Sequence, residues 1–251
     1  MKDNNRGEKF LDINGAKLPD IRWKLCFYGF EDIFLIACFY KNNYAKENVL
    51  KLDQYLNESP YEYQDENFAV IVASGDIVID AGAWIGDFSA YACAKGAKVY
   101  AFEPVQENFC WLEKTAGLNK DTAGKIYPVK KGLGSVDAQM EISLDEKNSG
   151  AHSLILKDQA TLKEMIEVIT LDKFVEENNI QQIDFIKADI EGAERELLRG
   201  AANVLKKFAP KLAICTYHLP DDPQVLEEII KNANPRYQVV HLRHKLLAAV
   251  P

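Results

Sequence analysis

Three acids and one histidine in this chain stand where apolar runs stop. Asp80 closes Ile77-Val78-Ile79, Glu103 follows Lys98–Phe102, Asp189 follows Ile183–Ala188, and His218 follows Leu212–Tyr217. Asp80 also opens the string Asp80-Ala-Gly82-Ala83-Trp84-Ile-Gly86-Asp87, which leads into a helical stretch from Phe88 to Lys95. A dinucleotide fingerprint needs G-x-G-x-x-G so that a pyrophosphate can reach a helix N-terminus. Here there are only Gly82 and Gly86, and the leading acid would repel a pyrophosphate while suiting an ammonium group. The glycines permit a tight turn and close backbone approach. A carboxylate at Glu103 can accept both hydroxyls of a ribose. Ammonium plus ribose without phosphate describes S-adenosylmethionine, and a nucleotide-dependent oxidoreductase is the weaker alternative.

The elements that must position these groups alternate along the chain. From Ile77 onward, apolar runs with strand character are followed by segments with helical spacing. Val105, Phe109, Leu112 and Ala116 share one helix face; Ala193, Leu197, Ala201, Leu205 and Phe208 mark one long amphipathic helix. Asp222 followed by Pro223 reads as an acidic N-cap and a first-turn proline. Gln139–Leu144 and Glu167–Ile169 read as extra strands, Asp172–Glu177 as a short helix, Tyr237–Leu242 as the last strand, and Asn148–Ala160 as an irregular insertion. Such βα repeats with buried strands imply an α/β fold with a mostly parallel sheet covered by helices on both faces. Right-handed crossovers then bring every strand's C-terminal end to one edge, where ligands bind. Asp80, Glu103, Asp189 and His218 all fall on that edge.

Around Asp189 the chain is dense with charge: Lys187, Asp189, Glu191 and Glu194. Acids in a first helical turn favour the dipole, so Glu194 reads as structural. Asp189 ends a buried strand at the ligand edge and reads as functional. His218, in Cys215-Thr-Tyr-His-Leu-Pro-Asp221-Asp222, suits proton transfer near neutral pH. Asp189 and His218 are therefore the catalytic candidates, with Asp189 orienting the histidine, holding the acceptor hydroxyl or sharing its proton. Ligand chemistry also allows a cation between Asp189, Glu191 and His218, but sequence gives no coordination geometry and no metal is assigned. His152, His241 and His244 carry little functional weight.

Val78-Ile-Asp80-Ala-Gly82-Ala83, Tyr100-Ala-Phe-Glu103-Pro104, Gly132-Leu-Gly134 and Asp184-Phe-Ile-Lys187-Ala-Asp189-Ile-Glu191-Gly192-Ala-Glu194 together resemble the FkbM-type methyltransferase family. The resemblance runs from about Gly75 to His244. It implies a class I (Rossmann-like) methyltransferase fold, S-adenosylmethionine as donor, and a hydroxyl acceptor on a saccharide or other small molecule. The expected donor-binding set is Asp80, Gly82, Ala83, Gly86, Glu103, Pro104 and Gly134. A non-catalytic domain that only binds the donor is the alternative from another class.

Residues 1–70 differ from the rest. They are rich in aromatics, and Leu25–Tyr55 reads as mostly helical with a break near Gly29, followed by a loop over Asn57–Gln64. The expectation is a helical cap (1–70) over the donor edge, with Tyr61 and Tyr63 near the donor, preceding a methyltransferase domain (71–251).

The 251 residues are 47% hydrophobic, enough for a sizeable core and too apolar for a disordered chain. Thirty Lys and Arg against thirty-eight Asp and Glu give a net charge of −8, which argues against nucleic-acid binding. The longest apolar run, Ile33–Tyr40, is far short of the roughly 20 residues of a membrane span. Met1–Lys9 is too polar for a signal peptide. The cysteines at 26, 38, 93, 110 and 215 are odd in number and contain no CxxC, and read as free thiols of a cytoplasmic protein. The oligomeric state is not legible.

Overall fold

The computed structural model describes residues 2–3, 9–13, 15–19, 61–144, 162–242 and 244–251. Strands β1 (Lys2–Asp3), β2 (Lys9–Ile13) and β3 (Ala16–Pro19) form an antiparallel three-stranded sheet, and β4 (Tyr63–Gln64) pairs antiparallel with β5 (Ala69–Val70). Then come β6 (Ile77–Ala81), α1 (Asp87–Ala94), β7 (Lys98–Phe102), α2 (Gln106–Leu118) and β8 (Lys125–Val129). A small side sheet follows, with β9 (Gly132–Leu133), β10 (Ala138–Leu144) and β11 (Leu162–Ile169). The chain finishes with α3 (Leu171–Glu177), β12 (Phe185–Ala188), α4 (Glu194–Arg199), α5 (Ala202–Lys207), β13 (Lys211–Cys215), α6 (Asp222–Ala233), β14 (Gln238–His241) and β15 (Lys245–Ala249).

The main sheet has seven strands in the order β14-β15-β13-β12-β6-β7-β8. The five from β13 to β8 pair parallel, while β15 runs antiparallel between β13 and β14. All four residues of β12 are buried, as expected of a strand covered on both faces. One face packs Val78, Val99 and Phe185 against Ala90 of α1 and Leu112 of α2; the other packs Ile79, Ile186 and Leu212 against Leu171, Leu197, Leu205 and Leu226 of α3 to α6. Chain progression reverses direction at β6, which has β7 on one side and β12 on the other. That switch point opens the crevice in which ligands of such sheets bind.

Three expectations need correction. The apolar spacing from Ala193 to Phe208 predicts one helix, but the structure breaks it into α4 and α5 at Gly200-Ala201. A Cβ on Gly200 would lie 2.0 Å from the carbonyl oxygen of Gly134, so another element presses against the helix at this point. The Asp172 carboxylate accepts from Asn203 N at 3.0 Å and Val204 N at 2.9 Å, capping α5 from outside. Second, Asp222 is the first residue of α6 rather than its cap. Its carboxylate accepts from Leu219 N at 2.9 Å and Arg195 Nε at 2.7 Å. Third, β15 escaped the pattern because a hairpin, not a βα unit, delivers it: Leu242 N donates to Lys245 O at 2.8 Å.

The described part of residues 2–19 is strand, not helix. Lys17 and Asn119 exchange bonds of 3.0 and 2.6 Å at the C-terminal end of α2, away from the strand ends that carry Asp80 and Asp189. The helical reading of Leu25–Tyr55, the insertion Asn148–Ala160, Cys26, Cys38 and His152 lie outside the described residues. No helix among the described residues is long and apolar enough to cross a membrane. Cys93 and Cys215 are buried free thiols, whereas Cys110 is exposed.

Gly200 has an ordinary negative φ, so Gly200→Ala is a purely steric test of the α4–α5 junction. Forcing a methyl against the Gly134 carbonyl should cost about 1–3 kcal/mol, the usual range for overpacking, read as a lower urea midpoint at unchanged slope.

Candidate functional site

The glycine turn after β6 is shaped by its neighbours. Gly82 has φ +73°, and a Cβ there would lie 1.9 Å from the Asp189 carbonyl oxygen, so two strand-end loops touch backbone to backbone. The nitrogens of Gly82 and Ala83 donate to Phe102 O at 3.1 and 2.9 Å, tying the turn to β7. Gly86, at φ +85°, enters α1 beneath Leu112. Trp84 (φ +49°) and Glu191 (φ +53°) hold the left-handed conformation without being glycine, and each lies in one of these two loops. Strain of this kind persists where surrounding structure imposes it and concentrates at ligand sites.

A cleft opens over the turn, lined by Gly82, Trp84, Glu103, Pro104, Val105, Asn108, Gly132, Leu133, Ile142, Ile166, Asp189 and Ile190. Glu103 lies at its wall: Oε2 accepts from Trp84 N at 3.0 Å and Oε1 from Val105 N at 2.9 Å. Burial pushes its carboxyl up to about 7, against the opposing pull of those backbone donors and the Asn108 side chain. Of the expected donor set, Gly82, Glu103 and Pro104 line this cleft. Ala83 and Gly86 shape the turn behind it. Gly134 is not among the lining residues; it receives Gly200 and donates to Ile169 O at 3.1 Å, while Gly132 and Leu133 face the cleft in its place.

Asp80 is the largest departure. The sequence offers its carboxylate to an ammonium group of the donor; the structure buries it completely. The parallel register sets Asp80 opposite Lys187, whose Nζ lies 3.0 Å from Asp80 Oδ1, while Ser89 Oγ donates to Oδ2 at 2.6 Å. The same ammonium donates to Gly82 O at 2.7 Å. Burial alone would lower the Lys187 pKa, but Asp80, Asp189 and Asp87 outweigh it and the pKa rises. Lys187 therefore stays charged and clamps the turn, a role that its place inside an apolar strand did not announce.

Asp189 forms the junction. Tyr61 Oη donates to its Oδ2 at 2.7 Å and Tyr217 Oη to its Oδ1 at 2.9 Å. Burial works to raise its pKa, but Lys187, Tyr61, His218 and Tyr217 hold it below the ordinary carboxylate value. Beyond Asp189 lies a second cavity lined by Tyr61, Cys215, Tyr217, His244 and Lys245, and Asp189 lines both spaces. Tyr61, expected near the donor, lines this second cavity and not the cleft. Tyr63 lines neither; it bonds to Asp65 and packs on Phe68. His244 and Lys245 enter the site on the hairpin that the strand pattern missed, while His241 pairs with Glu227 at the surface.

The His218 side chain is 2% exposed and lines neither cavity. Its Nδ1 lies 3.1 Å from Glu194 Oε1, and its Nε2 lies 3.3 Å from Glu191 Oε2 and 3.7 Å from Asp189 Oδ1. Burial would lower its pKa, but the surrounding carboxylates of Glu191, Glu194 and Asp189 push it up to about 10. An imidazolium has no lone pair to accept a proton, so this environment opposes the base role expected from sequence. Glu194 is structural as expected: its oxygens accept from Ile190 N at 2.8 Å and Gly192 N at 3.0 Å.

The strand order, the switch-point turn and the acids at successive strand ends define a class I, Rossmann-like methyltransferase fold. The profile of the Methyltransferase FkbM domain matches residues 80–239, and the chain belongs to that family. It is 30% identical over 170 residues to the hexuronic acid methyltransferase AglP of Haloferax volcanii, covering 66% of each chain. It is 26% identical over 144 residues to Methyltransferase 1 of Beauveria bassiana, covering 49% of this chain and 57% of that one. The matches thus span less than two thirds of these relatives' lengths. The crystal structure of an FkbM methyltransferase from Methylobacillus flagellatus superposes with a TM-score of 0.58 at 23% identity, over 87% of this chain and 60% of that one, and shares the fold.

Removing the Lys187 charge should leave Asp80 buried and uncompensated. Lys187→Met is expected to lose about 3–5 kcal/mol in equilibrium unfolding. The double variant with Asp80→Asn should recover most of that loss; equal loss in both would show that the pair is not what stabilises the turn.

Proposed function

We propose that this chain is an S-adenosylmethionine-dependent O-methyltransferase acting on a hydroxyl of a saccharide or comparable small molecule. The observation that carries this reading is the position of Asp189, which walls both the cleft over the glycine turn and the adjoining cavity. A methyl passing between two bound molecules must cross at such a junction.

The cleft residues fit the donor. Two backbone N–H groups and the Asn108 side chain already donate to Glu103, and the acceptor capacity that its two oxygens keep beyond these suits a ribose hydroxyl. Leu133, Ile142 and Ile166 supply an apolar wall for the base, and Gly82 allows close backbone approach. When bound, the donor supplies an electrophilic methyl carbon on a sulfonium. The protein aligns the acceptor oxygen with it and removes the hydroxyl proton as the new bond forms. Asp189, held ionised by Lys187 and oriented by two tyrosine hydroxyls, is the unprotonated carboxylate placed at the junction to receive that proton. His218 acts behind it. The second cavity presents His244 and Lys245, a basic lining suited to oxygen-rich or acidic sugars. The hexuronic acid methyltransferase among the relatives supports the same acceptor class.

The test is transfer of labelled methyl from the donor to a panel of neutral sugars, uronic acids and simple hydroxyl compounds. Donor binding without transfer to any member would favour a domain that only binds. Against a working acceptor, Asp189→Asn should lower single-turnover rates by about 10²–10⁴ while donor affinity stays within a few-fold.

Donor binding should also depend on pH. With its pKa near 7, Glu103 is ionised above that pH and protonates as the pH falls through it. Calorimetry between pH 8 and pH 6 should show donor affinity falling on the acid side. Glu103→Gln should bind more than tenfold more weakly at pH 8, as expected when a charged hydrogen bond is lost, and should flatten the profile.

A further inference from the structure

We propose that Asp189, Glu191 and the Nε2 atom of His218 form a binding site for one divalent transition-metal ion, of the Mn²⁺ or Zn²⁺ class, beneath the junction of the cleft and the second cavity, where Asp189 lines both and Glu191 lines the cleft. No metal is assigned from the sequence, because spacing along a chain says nothing about coordination. The structure supplies what was missing.

The first observation is convergence. His218 Nε2 lies 3.3 Å from Glu191 Oε2 and 3.7 Å from Asp189 Oδ1. Two ligand atoms each about 2.1 Å from a shared ion stand roughly 3–3.5 Å apart at ordinary bond angles, so these separations approach those of a coordination sphere. The second observation concerns the histidine itself. The His218 side chain is 2% exposed, and its Nε2 makes no well-aligned hydrogen bond. A buried imidazole in that state has a lone pair or a proton that some partner must use.

The surroundings then sort the ligands. Asp189, Glu194 and His218 can each bring an atom within 4.8 Å of the others, but both Glu194 oxygens already accept from backbone nitrogens. Glu194 Oε1 lies instead 3.1 Å from His218 Nδ1. A carboxylate on one ring nitrogen fixes the tautomer and frees the other as a metal ligand, the usual arrangement behind metal-bound histidines. Tyr61 and Tyr217 orient Asp189 in the same way. One imidazole with two carboxylates favours Mn²⁺ or Zn²⁺ over Ca²⁺ or Mg²⁺, whose preference is for oxygen alone. Asp189 faces the acceptor cavity, so an ion on its Oδ1 would make a hydroxyl placed there more acidic and leave Oδ2 to receive the proton.

The experiment uses the full chain, treated with chelator and dialysed, titrated separately with MnCl₂ and ZnCl₂ by calorimetry, with Mn²⁺ also followed by electron paramagnetic resonance. Donor and acceptor are absent, so the result stands apart from the methyl-transfer reading. One saturable equivalent is expected. His218→Ala and Glu191→Gln should each weaken it at least tenfold, and Glu194→Gln by about 10–100-fold through the tautomer. Circular dichroism and a melting curve confirm that each variant is folded; should His218→Ala fail to fold, Glu191→Gln, at a partly exposed side chain, carries the test. Absence of saturable binding of both ions to the wild-type chain would overturn the proposal, leaving His218 as an imidazolium among carboxylates. Undiminished binding by the folded variants would overturn it equally.

Discussion

One buried ammonium holds this site together. Lys187 enters from the middle of β12 and meets Asp80 on β6 and the carbonyl of Gly82 in the turn. Two charges taken out of water are costly, and their attraction recovers that cost only with good geometry and further hydrogen bonds. Both conditions hold here, since Ser89 satisfies the second Asp80 oxygen. The parallel register of β12 on β6 puts the pair side by side. Without that contact, the turn over which the cleft opens would lose its anchor, and Asp189 would lose the positive charge that keeps it ionised.

Much of this architecture was legible because buried parallel strands write themselves as apolar runs. Asp80, Glu103 and Asp189 each interrupt such a run, and chain topology alone carries them to one edge. The ion pair was not legible in the same way. Spacing assigns a residue to a face but does not say which residue of a distant strand lies opposite, and Asp80 and Lys187 are brought together by register. Asp80 therefore read as a carboxylate for the donor's ammonium group, although it is sealed inside against Lys187. The surroundings of His218 were not legible for a related reason. Its type suggested a proton acceptor, but its behaviour is set by Glu191 and Glu194, and the loop that folds them back onto it turns through a positive φ at Glu191.

The broken helix shows where periodicity stops being informative. Leu197, Ala201 and Leu205 keep helical spacing straight through Gly200, so nothing local requires an interruption. The break is imposed by the approach of Gly134 and by the Asp172 cap, both from other elements. β15 was hidden differently: a short apolar run after a tight hairpin, without a helix before it, lacks the βα rhythm that identified the other strands.

The hairpin joining β14 to β15 brings His244 and Lys245 to a cavity whose neighbour, the cleft over the glycine turn, is built from the ends of β6 and β7, the side sheet and the loop after β12. The two halves of the site are thus encoded in stretches of chain that share little but Asp189. Drift around His244 and Lys245 can reshape a wall of the cavity while the cleft is left intact. A lineage carrying this fold has a simple way to diversify what it modifies, and a protein engineer wishing to change selectivity has a short, separable stretch in which to begin.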